Sequence, residues 1–553
     1  MATIIIDGRE IEVPDHERLN LIEAARRVGV EIPHYCWHPG LSVVGSCRMC
    51  LVEIGRRDPA TGQVQMMPKL MPACNTPIQD GMVVVTDSPK VRRARAMVEE
   101  DLLLRHPVDC PICDKAGECR LQDYHFRYGQ PERRGDVRPF SSRRQELGPR
   151  ITLFVDRCIL CTRCVRFTRE VSGTAELMVR ARGTHEQIDV VDGFPLDNKL
   201  AGNVVDLCPV GALGDKDFLY RQRVWFMRSH ASVCTRCAAG CSIWVDENQD
   251  RIYRVRPREN PQVNRWWICD DGRYDYHHVH DPRRLVAPVC REGSGLVPID
   301  WPELLGRLSD QLARARPLAA VFSPFLTVEE AYLLARYIRG LDPEALLVLG
   351  PIPREGEDER FPGGFTIAAE KCPNRRGVEK VVAHMAGEVA VFERLLSELD
   401  GGTIRGVWVS GGYRQEWIDA TTAARFDGLQ QLVVQDLFPS PLTERATYAL
   451  PGAAAAERDG SYVNRTDQLQ SVSWAVRPPS GVRPEGSLLW ALLGRQRLYD
   501  ARAVLREVAA EIGHFHVAAE PIPEVGVNLK VNLLARSEGP AGEAEGVRQT
   551  RPS

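Results

Sequence analysis

The first residues alternate. Thr3–Ile6 and Arg9–Val13 carry apolar side chains at every second position, and Asp7-Gly8 separates them, which predicts a tight hairpin. The period then changes. Leu21, Ala24, Ala25 and Val28 fall on one helical face, Asn20 and Glu23 sit where a cap and its reciprocal partner belong, and Gly29 ends the run. Residues 90–105, KVRRARAMVEEDLLLR, predict a second helix with Met97, Leu102, Leu103 and Leu104 buried. From about 300 to 515, helical patterns such as VEEAYLLARYIRGL alternate with short apolar runs: ALLVLG, RGVWVSGG and QLVVQDL. Such runs suit buried parallel strands with helices between them, an α/β domain. No internal repeat is visible.

The stretch between these patterned ends is different, because loops rich in Gly and Pro carry the cysteines. Fifteen of the 17 cysteines precede residue 270, and only Cys290 and Cys372 follow. A disulfide framework suits a small secreted domain, whereas a long chain with cysteines in CxxC groups is expected to hold metal. Cys36, Cys47, Cys50 and Cys74 form the first set. In HPVDCPICDKAGEC, His106, Cys110, Cys113 and Cys119 form the second; Pro107, Pro111 and Gly117 keep that run from being a regular helix. Three cysteines and one histidine are also an ordinary structural zinc set, so this stretch alone leaves zinc and an iron–sulfur cluster open. Cys158, Cys161 and Cys164 give CxxCxxC, a short loop able to wrap three corners of a cubane, and Cys208-Pro209 offers the fourth corner. Cys234, Cys237, Cys241 and Cys269 form the last set.

Composition adds limits. Apolar content of 44%, charged content of 26% and a net charge of −3 describe an ordinary globular protein and give no bulk-charge reason for a nucleic-acid or lipid partner. No run of 18 apolar residues exists, so no direct membrane span is expected. MATIIIDGREIEV enters a strand pattern at once and lacks the layout of a signal or transit peptide, which favours a bacterial cytoplasmic product. The Arg-, Pro- and Gly-rich stretch 127–150 reads as an irregular connector, solvated or facing a partner subunit. The tail SEGPAGEAEGVRQTRPS is expected to be disordered.

Hairpin, helix, then Cys-x10-Cys-x2-Cys and a distant cysteine resembles the β-grasp [2Fe–2S] domain, with a longer first gap than the plant-type spacing. CxxCxxxC with Cys269, and then HDPRRLVAPVCREGSGLVPIDWPELL, resembles the [4Fe–4S] domain and following segment of molybdopterin oxidoreductases. So does ERDGSYVNRTDQLQ at 457–470. Taken together, this order resembles the family of large iron–sulfur subunits of bacterial respiratory complex I, the NADH–quinone oxidoreductase. The match is specific over residues 1 to about 290 and rests on architecture beyond.

The resemblance implies an α+β multidomain chain with these boundaries: 1–86, a [2Fe–2S] β-grasp domain; 87–126, a histidine-ligated [4Fe–4S] domain; 127–226, a ferredoxin-like [4Fe–4S] domain with the Arg-rich linker; 227–283, a Mo/W-oxidoreductase-type [4Fe–4S] domain; 284–535, a truncated molybdopterin-oxidoreductase-like α/β domain; 536–553, the tail. It implies one [2Fe–2S] and three [4Fe–4S] clusters on the four sets above, and no molybdopterin. The chain would be an electron carrier without its own substrate site, and no GxGxxG fingerprint follows a strand. Its implied partners are an NADH/FMN-binding subunit, a small 2Fe–2S subunit and quinone-side hydrophilic subunits. Its implied place is peripheral, on the cytoplasmic side of the bacterial inner membrane. In that context the His106 set reads as a cluster rather than zinc. Replacing a thiolate by neutral His106 makes a cluster less negative and favours reduction, while burial pulls the other way. Arg48, Lys115, Arg163 and Arg166 lie in or beside ligand loops, where they either stabilise reduced clusters or are solvated charges.

Three alternatives compete with this reading. The first is a formate dehydrogenase, for which Cys372, 103 residues past Cys269, is the candidate metal ligand. About 280 residues after Cys269 are too few for the domains that enclose a molybdopterin, and Cys372 reads as a buried thiol. The second is the diaphorase-side subunit of an NAD-linked hydrogenase, which the 290–515 region argues against. A scaffold of structural zinc is the third. His277, His278 and His280 read as a solvated turn rather than a metal site.

Overall fold

A computed structural model describes residues 1–530 other than Pro59, Arg133, Ser142, Thr184 and Ser294; the expected tail lies outside the described residues. The N-terminal alternation folds as predicted. Ala2–Ile6 pairs antiparallel with Arg9–Val13, and Asp7 and Gly8 both take the positive φ, 47° and 79°, of a tight hairpin loop. Ala2–Ile6 also pairs in parallel with Met82–Val85, which pairs antiparallel with Leu51–Arg57. Helix α1 (Leu21–Arg27) lays Leu21, Ile22, Ala24 and Ala25 against Ile4, Ile6, Val52 and Val84. Asn20 accepts from the amides of Ile22 and Glu23 at 3.0 and 3.1 Å, and Glu23 accepts from the Asn20 amide at 3.0 Å. Such a cap is worth about 1 kcal/mol.

Helix α2 (Pro89–Leu103) starts on a Ser88 cap with proline in its first turn. Its buried stripe differs from the expected one. Val91, Arg95, Ala96 and Glu99 face inward, Met97 is 55% exposed, and Leu102, Leu103 and Leu104 are only half-buried. The helix follows the i, i+4 row 91–95–99 because that row meets helix α3 (Arg120–Tyr128) and the Tyr35 loop, where two polar side chains find partners. Arg95 lies over the Tyr128 ring and donates to Leu51 O at 3.4 Å, and Glu99 accepts from the Tyr35 hydroxyl. Apolar counting alone misses a face built on an arginine and a glutamate.

The Arg-rich connector is also shorter than the sequence suggests. Helix α3 reaches Tyr128, and Arg144–Glu146 already pairs with Ile151–Phe154, which pairs with Leu213–Asp215. Between these, Arg134 pairs with Glu100 and Arg143 with Asp156. Next come a three-stranded antiparallel sheet, Arg228–Val233, Ser242–Asn248 and Arg251–Pro257, and a short helix over 270–274. One buried core runs through Tyr35, Met49, Leu121, Phe167, Val204, Val245 and Ile268, so all four cysteine-bearing segments share it.

Beyond residue 288 lies the expected α/β sheet. Six parallel strands stand in the spatial order Ala390–Val391, Leu346–Leu349, Leu318–Phe322, Gly406–Ser410, Gln431–Asp436, Tyr448–Pro451. Numbered along the chain this is 3-2-1-4-5-6, the doubly wound order that reverses between Leu318–Phe322 and Gly406–Ser410. Phe325, Cys372 and Tyr413 pack together just beyond the ends of those two strands, and Tyr413 stacks on Trp417 with ring centroids 4.8 Å apart. Buried Asp436 accepts from the amides of Gly412 and Leu437 and from Trp417 Nε1. Arg284 and Glu457, each 2% exposed, form a bidentate pair at 2.7 Å that pins the segment after the fourth cysteine set to this sheet. Removing one partner of such a buried pair costs about 3–5 kcal/mol. Among the described residues no helix is long and apolar enough to cross a membrane.

Glu99 gives a stability prediction. It is fully buried, its second carboxyl oxygen has no hydrogen-bond partner, and burial raises its carboxyl to about 7 against an ordinary 4.5. A carboxyl raised on folding adds stability below its unfolded value and loses it as pH climbs through 7. Glu99→Gln, neutral at every pH, is therefore expected to melt a few degrees above the parent at pH 8 and level with it near pH 5. Thermal unfolding at the two pH values checks this; a difference that does not change with pH contradicts it.

Candidate iron–sulfur centres

The first set occupies the loop between α1 and the strand Leu51–Arg57. Cys36, Cys50 and Cys74 are buried and Cys47 is partly exposed. The thiols act on one another in two pairs, Cys36 with Cys47 and Cys50 with Cys74. In each pair one sulfur is eased toward thiolate by its partner, Cys36 down to about 5, while that neighbour and burial hold the proton on Cys47 and on Cys74. Cys36 also acts on both Cys50 and Cys74, so the four converge.

The second set lies on the turns after α2 and at the start of α3. Cys113 is buried, Cys119 stands at the N-cap position of α3 with its side chain unused as a cap, and Cys110 is exposed. Cys113 feels Cys110, and Cys119, raised to about 11 by burial, feels Cys113. The described contacts do not bring His106 to a thiol. It is partly buried, and burial together with the Arg157 cation holds it below the ordinary histidine range against the pull of Asp109. Arg157 pairs with Asp109 at 2.8 Å and also acts on Cys113, so it is the shared neighbour of His106 and that thiol.

The third set shares a single space. Cys158, Cys161, Cys164 and Cys208 line one cavity walled by Leu153, Ile188, Val210 and Ala212. Burial first, and then the other thiols, push Cys161 up to about 11 and Cys158 and Cys164 further. Leu160 and Thr162 have positive φ, 51° and 57°, which turns the CxxCxxC loop back on itself before helix α4 (Arg163–Phe167). In the fourth set Cys234, Cys237, Cys241 and Cys269 are all buried; Cys234 is pushed to about 12, and Cys241 and Cys269 well above the usual thiol range. This set is gripped from the α/β region: Ala238 N donates to Glu370 O, Asn464 Nδ2 to Ala239 O and Gln470 Nε2 to Gly240 O, at 2.8–3.0 Å.

These surroundings fit clusters. Side-chain volume is withheld where sulfur comes close. A Cβ on Gly272 would meet Cys234 Sγ at 2.8 Å and Cys269 Sγ at 3.5 Å, and one on Gly211 would meet Cys113 Sγ at 2.1 Å. Arg163 and Arg166 both act on the Cys161 thiol, and the Nε of each is buried without a partner. Among the described residues no three His, Cys, Asp or Glu side chains close around one metal ion. A cluster spreads its ligands over separate irons, so its set stands wider than a tetrahedral zinc site with bonds of about 2.3 Å.

The segments carrying the first three sets touch one another. Arg166 Nη2 donates to Cys36 O and to Cys161 O, and Arg163 to Trp37 O and Leu207 O. Arg120 N donates to Pro209 O at 3.0 Å, and Gly211 lies against Cys113. Arg223 donates to Cys113 O at 2.8 Å, and Arg254 ties Glu118 to Asp246 of the fourth segment.

Other candidate residues separate. Arg163 and Arg166 are buried, Arg48 is exposed, and Lys115 pairs with Glu118 at 3.4 Å. Cys372 is fully buried, donates to Glu370 Oε1 at 3.6 Å and packs on Phe325 and Tyr413, as a core thiol does. The three histidines lie on a short helical turn over Asp275–His280, with His277 and His280 exposed and His278 half-buried. His277 bonds Asp217 at 2.9 Å, His278 the Asp275 carbonyl, and His280 accepts from Ile252 N at 3.0 Å, so each is engaged separately. Sequence reasoning missed Arg120, Arg157, Arg223 and Arg254; an arginine within a few residues of a cysteine motif marks only the first two.

Four family models match in succession: a 2Fe-2S iron-sulfur cluster binding domain at 1–89, the NADH-ubiquinone oxidoreductase-G iron-sulfur binding region at 95–134, the ferredoxin-like domain of NADH-quinone oxidoreductase subunit 3 at 148–214, and the molybdopterin oxidoreductase Fe4S4 domain at 227–281. The G subunit of NADH-quinone oxidoreductase from Rickettsia felis is 37% identical over 343 residues, 62% of this chain and 49% of that protein. The Streptomyces coelicolor protein of the same name is 36% identical over 61% of this chain and 39% of its own length. The mitochondrial NADH-ubiquinone oxidoreductase 78 kDa subunit of Neurospora crassa is 39% identical over 57% and 41%. The chain thus spans about half the length of the curated relatives it matches. A chain of an NAD+-reducing [NiFe]-hydrogenase in the H2-reduced state is 31% identical over 40% of this chain and 91% of its own, with a TM-score of 0.34, too low to bear on the fold. These four modules therefore stand in this chain in one succession, and over the matched residues the chain is similar to the NADH-quinone oxidoreductase G subunits.

Proposed function

We propose that this chain is an electron-relay subunit of an NADH–quinone oxidoreductase. It would receive electrons that an NADH- and flavin-binding subunit supplies and hand them toward a quinone-side subunit, in a complex that also translocates protons. The observation that carries this reading is the contact between ligand segments. Arg166 bonds the carbonyls of Cys36 and Cys161, and the segment after Cys208 presses Gly211 against Cys113. Three cysteine sets in line, joined through backbone and guanidinium, are an arrangement suited to passing single electrons and not to binding a substrate.

In this reading Cys36, Cys47, Cys50 and Cys74 hold a [2Fe–2S] cluster. The sets of His106, of Cys158 and of Cys234 each hold a [4Fe–4S] cluster, and molybdopterin is not expected. When bound, each cluster takes up and releases one electron at a time. The chain's own residues exclude water, hold the ligands and set the charge around them. Arg157 is the cation closest in role to the second set, since it acts on both His106 and Cys113. Cys110 is exposed between Val108, 78% exposed, and Ile112, 57% exposed. That apolar rim at the end of the line suits a quinone-side hydrophilic subunit. The chain would then sit peripherally on the cytoplasmic side of the bacterial inner membrane, with a small 2Fe–2S subunit on the flavin side.

Metal analysis of anaerobically purified protein tests the whole reading: about 14 iron atoms per chain and no molybdenum are expected. Stoichiometric molybdenum, or formate oxidation lost on Cys372→Ser, would transfer the assignment to a molybdenum enzyme. His106→Ala is expected to lose the second cluster. His106→Cys is expected to keep that cluster at a lower potential and slow transfer toward quinone, because a thiolate adds a negative charge. A His106→Ala protein with unchanged iron, unchanged EPR spectrum and parental activity would make His106 a surface histidine. Gly211→Ala tests the close approach to Cys113. It is expected to remove or distort the EPR signal of the second set while the first set's signal persists, and a spectrum identical to the parent's would contradict it.

A further inference from the structure

Arg163 and Arg166 bracket Cys164 on α4, and they are 3% and 8% exposed. A guanidinium this deep is costly unless its N–H groups are matched. Among the described residues neither has a carboxylate partner, and carbonyl oxygens take their place. Arg163 donates to Leu207 O at 3.1 Å and to Trp37 O; Arg166 donates through Nη1 to Ser42 O and through Nη2 to Cys36 O and Cys161 O. Ser42 lies a few residues beyond Cys36 and is held in turn by Glu170 of the segment that continues α4, which accepts from its amide at 2.8 Å. Both Nε donors remain free, and Arg163 acts on Cys161 and Cys208. Two buried cations with no counter-anion of their own among the described residues therefore stand between the first and third cysteine sets: Arg166 bonds the backbone of a ligand on each side, and Arg163 the backbone next to one.

We propose that Arg166 is the positioning residue that fixes the separation of these two sets and, as a buried cation, favours the reduced state of both. The inference rests on the cluster assignment above. A cluster gains negative charge on reduction, so a fixed positive charge beside it raises its potential. One electron is lost on the Cys36 side and one is gained on the Cys158 side, while the guanidinium keeps all its protons and no bond breaks. Lysine preserves the charge but lacks the planar fork that reaches three carbonyls at once.

The test uses the full chain, anaerobically purified, with iron and sulfide assayed first and dithionite as reductant. EPR-monitored titration of Arg166→Met is expected to show the signals of the first and third sets moved together to lower midpoints, with the fourth set unmoved. Arg166→Lys is expected to restore the midpoints but to alter the magnetic interaction between the two reduced centres, which depends on their separation. An Arg166→Met protein with full iron and parental midpoints, or one shifted only at the fourth set, overturns the proposal. Should Arg166→Met lose iron, Arg166→Lys decides: an altered interaction supports the proposal, and parental midpoints with a parental interaction overturn it. A parent protein without cluster signals would instead fail the cluster assignment, before any variant is compared.

Discussion

Gathering four thiols in a buried space is the constraint that the rest of the molecule answers to. Burial alone raises the cost of the thiolate, and each neighbouring sulfur raises it again, as the third and fourth sets show most strongly. Left to itself such a site holds protons, and metal must displace them, so affinity, folding and pH are linked. Loops rather than regular elements carry the ligands, and the surrounding framework supplies the rigidity. It does so by sharing one core among four segments and by crossing between them with arginines. Arg120, Arg163, Arg166, Arg223 and Arg254 each reach into a segment other than their own.

These arginines also bear on how modules in a chain become a relay. Electron transfer falls off steeply with distance, so a flexible linker between two centres would make a poor conductor. Here the module borders are not linkers in that sense. The Cys208–Ala212 segment completes one cavity while its glycine lies on a sulfur of the next set. A single stretch of backbone thus belongs to two sites, and neither moves without the other.

The order of modules was legible in the sequence, because cysteines at such fixed spacings are rare for any other reason. The sequence also made the hairpin and the Asn20 cap legible, since period and cap chemistry agree there. The inward face of α2 was not, because Arg95 and Glu99 belong to the exposed class until a tertiary partner such as Tyr35 is known. The same holds for Arg163 and Arg166. Their positions beside a CxxCxxC motif were visible, but whether they face water or a neighbouring loop depends on Cys36 and Ser42, more than 120 residues away. The doubly wound strand order was implied only as alternation; which strand lies beside which is a matter of long-range pairing that no local pattern encodes.

In open sheets with the 3-2-1-4-5-6 order, the crevice where the order reverses is the usual place for a dinucleotide. In this protein Tyr413 and Trp417 stack at that mouth, and the carboxylate of Asp436 accepts from the Gly412 amide and from Trp417 Nε1. Meanwhile Glu370, and Asn464 and Gln470 of a separate antiparallel sheet packed beside it, hold the backbone of the Cys234 set. A sheet in the order of a nucleotide-binding domain thereby becomes part of a mount: the segments packed beside it clasp the neighbouring module.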